Sequence, residues 1–213
     1  MVGGLPYPTG GFDLNLSPAG EGYAVEVGSE RGWRLLDEHH ELFREAKADE
    51  LETRLRNRER VQRTLIEQNA QFATKDPFAT SIQKHLKTRI WGELAASCVE
   101  CNACNFICPT CHCFLLMDCR SGKLPLRHTL WDSCFQAGYA RMAGGGTPRL
   151  QLTERFKNHY YHKFVGFPEN WGGGVACTGC GRCIDACMGR IDKRNCLHRL
   201  ETRWIPTEVV EEL

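Results

Sequence analysis

The stretch "CVECNACNFICPTCHC", from Cys98 to Cys113, packs six cysteines into sixteen residues. Three kinds of thiol chemistry account for such density: a disulfide scaffold, a zinc site or an iron–sulfur cluster. The distribution along the chain argues against the first. The chain has 13 cysteines, an odd number, and none precedes Cys98. A disulfide framework staples a whole small fold, and here the long segment before Cys98 has no cysteine to contribute.

Spacing separates the remaining two. The first motif is Cys98-x2-Cys101-x2-Cys104-x3-Cys108-Pro109, and the same spacing returns as Cys177-x2-Cys180-x2-Cys183-x3-Cys187, followed by Met188 in place of proline. Structural zinc takes four ligands, commonly two CxxC pairs across a loop, which leaves the third interval of each motif unexplained. The duplicated spacing is that of bacterial two-cluster ferredoxins. Three cysteines at intervals of three wrap a compact turn, so their thiolates meet three irons of one cube. The fourth points away and reaches the other cube. The expected ligand sets therefore cross: Cys98, Cys101, Cys104 and Cys187 for one [4Fe–4S] cluster, and Cys177, Cys180, Cys183 and Cys108 for the other. The two cubes are expected side by side about a pseudo-twofold axis.

Cys111, Cys113, Cys119, Cys134 and Cys196 remain. They serve either as small buried residues around the clusters or as part of a third metal site. In "WDSC", Trp131 is expected to pack against a cluster and exclude water. The segment "NHYYHKF", with His159, Tyr160, Tyr161 and His162, reads as packed aromatic residues with polar tips rather than as a metal site.

Around the motifs the chain is ordinary. Its 27 Lys+Arg balance 26 Asp+Glu, so no general attraction to nucleic acid or anionic membrane is implied. No apolar run approaches the ~20 residues of a membrane helix. The first residues, "MVGGLPYPTGGFDLNL", show neither an export signal nor a twin-arginine pair, which favours a cytoplasmic location. There is no phosphate-binding GxGxxG, no Walker motif and no GxSxG nucleophile.

Residues 11–28 alternate as a hairpin, and 30–73 carry a thin apolar stripe in a highly charged background, the pattern of one or two amphipathic helices with solvated outer faces. That stretch is also a candidate docking surface. In "KDPFATSIQKHLKTRIWGELAASC", Phe78, Ile82, Leu86, Ile90 and Leu94 recur every fourth residue, which predicts one helix entered at Asp76-Pro77. Further on, "HCFLLMDCRSGKLPLRHTLWDSC" (112–134) reads as short strands about a Ser-Gly turn, 135–142 as a small helix, and Thr147-Pro148 as the start of another. "CIDACMGRIDKRNCLHRLE" reads as a closing helix. The expected fold is α+β: an N-terminal hairpin and charged helical segment over 1–75, a two-[4Fe–4S] ferredoxin-like core over 76–200 with a long insert at 109–176, and a tail at 201–213.

The runs "WGELAASCVECNACNFICPTCHCFLLMD", "WDSCFQAGYARMAGG", "RFKNHYYHKFVGFPENWG" and "ACTGCGRCIDACMGRID", with "GGFDLNLSPAGEGYAVEVGSERG" upstream, resemble the iron–sulfur (beta) subunits of cytoplasmic sulfhydrogenases and the A subunits of anaerobic sulfite reductases. Members of that family carry a longer region, with further cysteines, before the segment matching "FDL". The resemblance implies an electron-transfer subunit that relays electrons between a flavin- or nicotinamide-linked partner, itself flavin- or iron–sulfur-containing, and a catalytic subunit of an anaerobic oxidoreductase complex. It places Cys98 to Cys108 and Cys177 to Cys187 on the family's cluster ligands, and Cys111, Cys113 and Cys134 on recurrent cysteines without an assigned role. The alternative is that the chain is itself a reductase subunit, with a substrate-accessible third cluster built on Cys111, Cys113 or Cys134.

Overall fold

The structure, a computed structural model, describes residues 5–202. Two compact units divide the chain between residues 71 and 72. The segment set apart in the sequence as a tail, 201–213, lies outside the described residues from 203 onward.

In the first unit, β1 (Leu14–Ala19) and β2 (Gly22–Val27) pair antiparallel, with Leu16 opposite Val25. Ser29 then starts α1 (Glu30–Glu38): its hydroxyl accepts the Gly32 N–H at 3.1 Å and donates to Asp13 Oδ1 at 2.6 Å. The long α2 (Ala48–Asn69) buries none of its residues. It is held to the hairpin by polar contacts such as Arg58, which donates to Ser17 Oγ at 3.1 Å and Glu26 Oε2 at 3.0 Å.

The second unit contains the larger core. The stripe that predicted one helix forms two, α3 (Phe78–Lys84) and α4 (Ile90–Ala95). The break has a local cause. The His85 carbonyl accepts the Trp91 indole N–H at 2.8 Å and the Thr88 hydroxyl at 2.9 Å, turning away from the helical ladder. Burial survives the break, because Ile82, Ile90, Trp91 and Leu94 all enter one core. Facing them, α6 (Leu152–Tyr161) turns Arg155, Phe156, His159 and Tyr160 inward, a stripe with helical spacing. The helix begins at Leu152 rather than at Thr147, and 135–142 forms turns instead of the expected helix. A π-helical turn, His162–Gly166, follows α6 and buries Lys163, Phe164 and Val165, and α7 (Phe167–Trp171) ends this layer.

Each cysteine motif carries a single short helical turn, α5 (Ala103–Phe106) and α8 (Arg182–Asp185), and the two pack together. The closing helix expected from Cys183 onward is interrupted after α8 and resumes as α9 (Lys193–Thr202), which buries Cys196, Leu197 and Leu200. Between the motifs, β3 (Phe114–Ser121) and β4 (Leu124–Trp131) form a hairpin that turns at Gly122, with φ of +61°. Among the described residues these strands pair only with each other, and Trp131 is 70% exposed. The expectation that Trp131 covers a cluster is therefore corrected: it ends a two-stranded ribbon on which no second layer packs.

Candidate metal centre

The two cysteine loops have the same backbone. Glu100 (φ +53°) and Asn102 (φ +63°) in the first correspond to Gly179 (φ +70°) and Gly181 (φ +78°) in the second, all left-handed. Left-handed residues on either side of the middle cysteine curl the loop so that its three thiols face inward. Glycine takes this conformation freely and asparagine tolerates it, whereas glutamate does so at a cost of roughly 1–2 kcal/mol.

The short helical turns then repeat bond for bond. Asn105 N–H donates to Asn102 O at 2.9 Å, and Ile184 N–H to Gly181 O at 2.8 Å. Ile107 to Ala103 and Ala186 to Arg182 are both 3.0 Å, and Cys108 to Asn105 and Cys187 to Ile184 are both 3.2 Å. After the fourth cysteine the chain reverses in the same way, through Cys111 N–H to Cys108 O at 3.2 Å and Arg190 N–H to Cys187 O at 3.0 Å. The duplication read from spacing is thus a duplication of conformation.

Cys98, Cys101, Cys104 and Cys187 line one cavity. Three come from the first loop and the fourth from the end of the second. Phe135, Phe156, Tyr160 and Ile191 supply apolar wall, and Lys193 a positive end. Burial pushes the thiols of Cys98 and Cys104 up, with Cys187 acting on both in the same direction. Cys183 also touches this cavity, and its thiol is pushed up first by burial and then by its neighbours Cys177, Cys108 and Cys180. Cys177, Cys108 and Cys180 thus lie within electrostatic reach of Cys183. Cys101 and Cys180, the middle ligand candidates of the two loops, are exposed.

Among the described residues, no three His, Cys, Asp or Glu side chains are close enough to hold a single metal ion. A tetrahedral zinc site gathers thiolates at about 2.3 Å around one centre, and the thiols here stand around a volume instead. A cube with irons at separate corners suits that arrangement, and the apolar lining suits a group held away from water.

Several residues essential to this geometry gave no signal in the sequence. Lys163, delivered by the π-helical turn, donates from Nζ to Cys108 Sγ at 3.3 Å, to Thr110 Oγ1 at 3.0 Å and to Ala176 O at 3.0 Å. Burial works against its charge, but the adjacent Cys111 and Cys108 outweigh burial and raise its proton affinity. The Cys108 thiol is in turn drawn down to about 3, chiefly by the hydrogen bond from Cys111 and also by Thr110 and Lys163. Arg155, 3% exposed, spans from the Phe135 carbonyl (2.8 Å) to Glu100 Oε2 (2.5 Å), and so braces the strained residue of the first loop.

The five other cysteines do not form one group. Cys111 lies beside Cys108, Cys113 beside Cys134, and Cys196, buried, beside Tyr160. Cys119 lies on β3. His159 and Tyr160 are packed as expected, with Tyr160 against Trp91 and Phe156. His159 carries more than packing: its ring contacts Lys193 through Nε2 and approaches Cys134 Sγ through Nδ1 at 3.8 Å.

Residues 97–191 match the family described as the 4Fe-4S dicluster domain. Over 191 residues the chain is 31% identical to sulfhydrogenase 2 subunit beta of Pyrococcus furiosus, an alignment covering 89% of this chain and 55% of that protein. The chain carries a 4Fe-4S dicluster domain and is similar over most of its length to a sulfhydrogenase beta subunit. It spans little more than half the length of this relative. No solved structure matches it. With that domain it is an iron–sulfur protein of the 4Fe-4S type, and among its described residues no helix is long and apolar enough to cross a membrane.

Proposed function

We propose that this chain carries electrons through two [4Fe–4S] clusters as a non-catalytic subunit of a hydrogenase- or reductase-type complex. Cys98, Cys101, Cys104 and Cys187 hold one cluster, and Cys177, Cys180, Cys183 and Cys108 the other. The observation that carries the reading is the single cavity lined by thiols from both motifs, Cys187 from the second and Cys98, Cys101 and Cys104 from the first. A bound [4Fe–4S] cluster supplies one-electron transfer.

The chain's own residues supply the rest. Phe135, Phe156, Tyr160 and Ile191 keep water from the first cavity, and Lys193 and Lys163 place positive charge beside the two thiol sets. A cation there favours the reduced, more negative form of a cluster. The exposed positions of Cys101 and Cys180 put one edge of each site at the surface, where electrons enter from and leave to partners. Those partners are a flavin- or iron–sulfur-containing subunit linked to a nicotinamide and a catalytic oxidoreductase subunit, in line with the relative's place as a beta subunit of a sulfhydrogenase.

Anaerobic purification with iron and sulfide analysis tests the reading. About eight irons per chain are expected, with coupled signals in electron paramagnetic resonance after reduction. Cys101→Ala and Cys180→Ala should each lose about half the iron. Full iron retention in either variant overturns the ligand sets, and about twelve irons per chain would favour the reductase with a third cluster. Co-purification of a catalytic subunit is expected.

A further inference from the structure

Tyr160 carries a polar atom that the fold leaves without a partner. The residue is 1% exposed, and its buried hydroxyl makes no hydrogen bond among the described residues. Such a group is destabilising unless something completes it, and native folds rarely keep one without a reason. The ring has little freedom to carry the hydroxyl elsewhere. Trp91 packs against it at 5.6 Å between centroids, Phe156 at 5.2 Å and His159 at 5.9 Å, while Lys193 Nζ stands 5.2 Å from its centre.

The same side chain lines the cavity of Cys98, Cys101, Cys104 and Cys187, and among the described residues of that lining only Tyr160 has a hydroxyl. Lys193 is turned to His159 Nε2, so it brings charge to the cavity. Burial, above all, pushes the proton affinity of Tyr160 well above the ordinary range, so the hydroxyl keeps its proton and remains a donor. Cys196 lies beside the hydroxyl without bonding to it, and a neutral thiol is in any case a weak acceptor. A sulfur carrying negative charge is a much stronger one. The chemistry missing at Tyr160 is therefore what a cluster in this cavity offers.

We infer that the Tyr160 hydroxyl donates a hydrogen bond to a sulfur of the [4Fe–4S] cluster held by Cys98, Cys101, Cys104 and Cys187, and so raises the potential of that cluster alone. The inference rests on the reading of this cavity as a cluster site and adds to it a residue outside both ligand sets. An added electron makes the acceptor sulfurs more negative, so a donor fixed in place stabilises the reduced form more than the oxidised one. Tyr160 binds no iron and moves no proton; it sets how readily the electron is accepted. Loss of the hydroxyl should shift the balance about tenfold towards the oxidised form, a fall of about 59 mV for a one-electron couple.

The experiment compares the anaerobically purified holoprotein with Tyr160→Phe by iron analysis, redox titration followed by electron paramagnetic resonance, and electron–nuclear double resonance in water and in deuterium oxide. Phenylalanine keeps the ring and its packing, so the iron content should not change. The signal that Cys101→Ala abolishes should titrate about 59 mV lower in Tyr160→Phe, with the other signal unmoved. On that first signal the unsubstituted protein should show a proton coupling that disappears in deuterium oxide and is missing from Tyr160→Phe. Cys196→Ala should leave both midpoints in place; a shift there equal to that of Tyr160→Phe would make Cys196 the hydroxyl's partner and overturn the inference. It is overturned as well if Tyr160→Phe loses iron, or keeps it with both midpoints unchanged. Absence of any exchangeable coupling in the unsubstituted protein overturns it without recourse to a variant. An unsubstituted protein that holds no iron overturns the electron-relay reading itself, a result read before any substitution is made.

Discussion

Gly189 presses against Ser97. A Cβ on Gly189 would stand 2.2 Å from the Ser97 carbonyl oxygen, and Gly189 follows the last cysteine of the second motif as Ser97 precedes the first cysteine of the first. The symmetry-related pair is Thr110 and Ala176, and there Thr110 Oγ1 donates to Ala176 O at 2.7 Å. The end of each motif is thus clipped to the start of the other, once by close backbone approach and once by a hydrogen bond. These two clips bring Cys187 to Cys98 and Cys108 to Cys177.

Gly189→Ala should open the first clip. The backbone must move, because the clashing atom is a carbonyl oxygen rather than a flexible side-chain end, and overpacking of this kind costs typically 1–3 kcal/mol. The expected result is selective loss of the iron held by Cys98, Cys101, Cys104 and Cys187. Thr110→Val removes the hydroxyl's bond to Ala176 O together with its contacts to Lys163 Nζ and Cys108 Sγ, each worth about 1 kcal/mol, and should leave both iron sets in place while lowering the midpoint of chemical unfolding.

Arg155→Met removes the brace on Glu100 and leaves the Phe135 carbonyl without its donor. Buried carbonyls left unpaired cost about 1–3 kcal/mol each. Denaturant unfolding should show a loss of about 3 kcal/mol, and oxygen should bleach the first cluster faster than the second. A variant as stable as the parent would show that Glu100 keeps its left-handed conformation without help.

Lys163→Met deletes the cation that touches Cys108. The reduced state loses its stabilising charge, so the potential of the cluster held by Cys177, Cys180, Cys183 and Cys108 should fall. A lost interaction of about 1.4 kcal/mol corresponds to about 59 mV for a one-electron couple. Redox titration followed by electron paramagnetic resonance should move one signal and leave the other.

In the first unit, Glu50 accepts from Arg44 and from the Lys47 N–H at 2.9 Å, at the start of α2, and the Arg44 guanidinium chiefly holds its carboxyl down to about 2. A depressed folded-state value means that this contribution to stability is full above the ordinary value of 4.5 and disappears as pH falls from there towards 2. Carbon-13 NMR should follow Glu50 titrating near the lower value, and Arg44→Gln should return it towards the ordinary one.

Spacing alone was enough to read the eight candidate ligands, since a cube demands thiolates at fixed intervals whatever surrounds it. The left-handed positions were half legible: Gly179 and Gly181 advertise them, whereas Glu100 and Asn102 do so only by alignment with the glycines. The apolar stripe from Phe78 to Leu94 correctly marked residues that enter the core but not the break at His85. That break depends on the Trp91 indole and Thr88 hydroxyl capturing a carbonyl, a competition between hydrogen bonds that apolar periodicity does not register. Trp131 was misplaced for a related reason, because nothing in the order of residues says whether a hairpin will find a second layer to cover it.

The sequence by itself determined the cysteine spacing and its duplication, because those are rules of short-range spacing along the chain. The tertiary structure decided which side chains face the thiols: Lys163 on Cys108, Arg155 on Glu100, His159 between Lys193 and Cys134, and Gly189 against Ser97. Each of those contacts joins residues far apart in the chain, and it exists only because burial of the Ile82–Trp91–Tyr160 core fixes the helices that carry them.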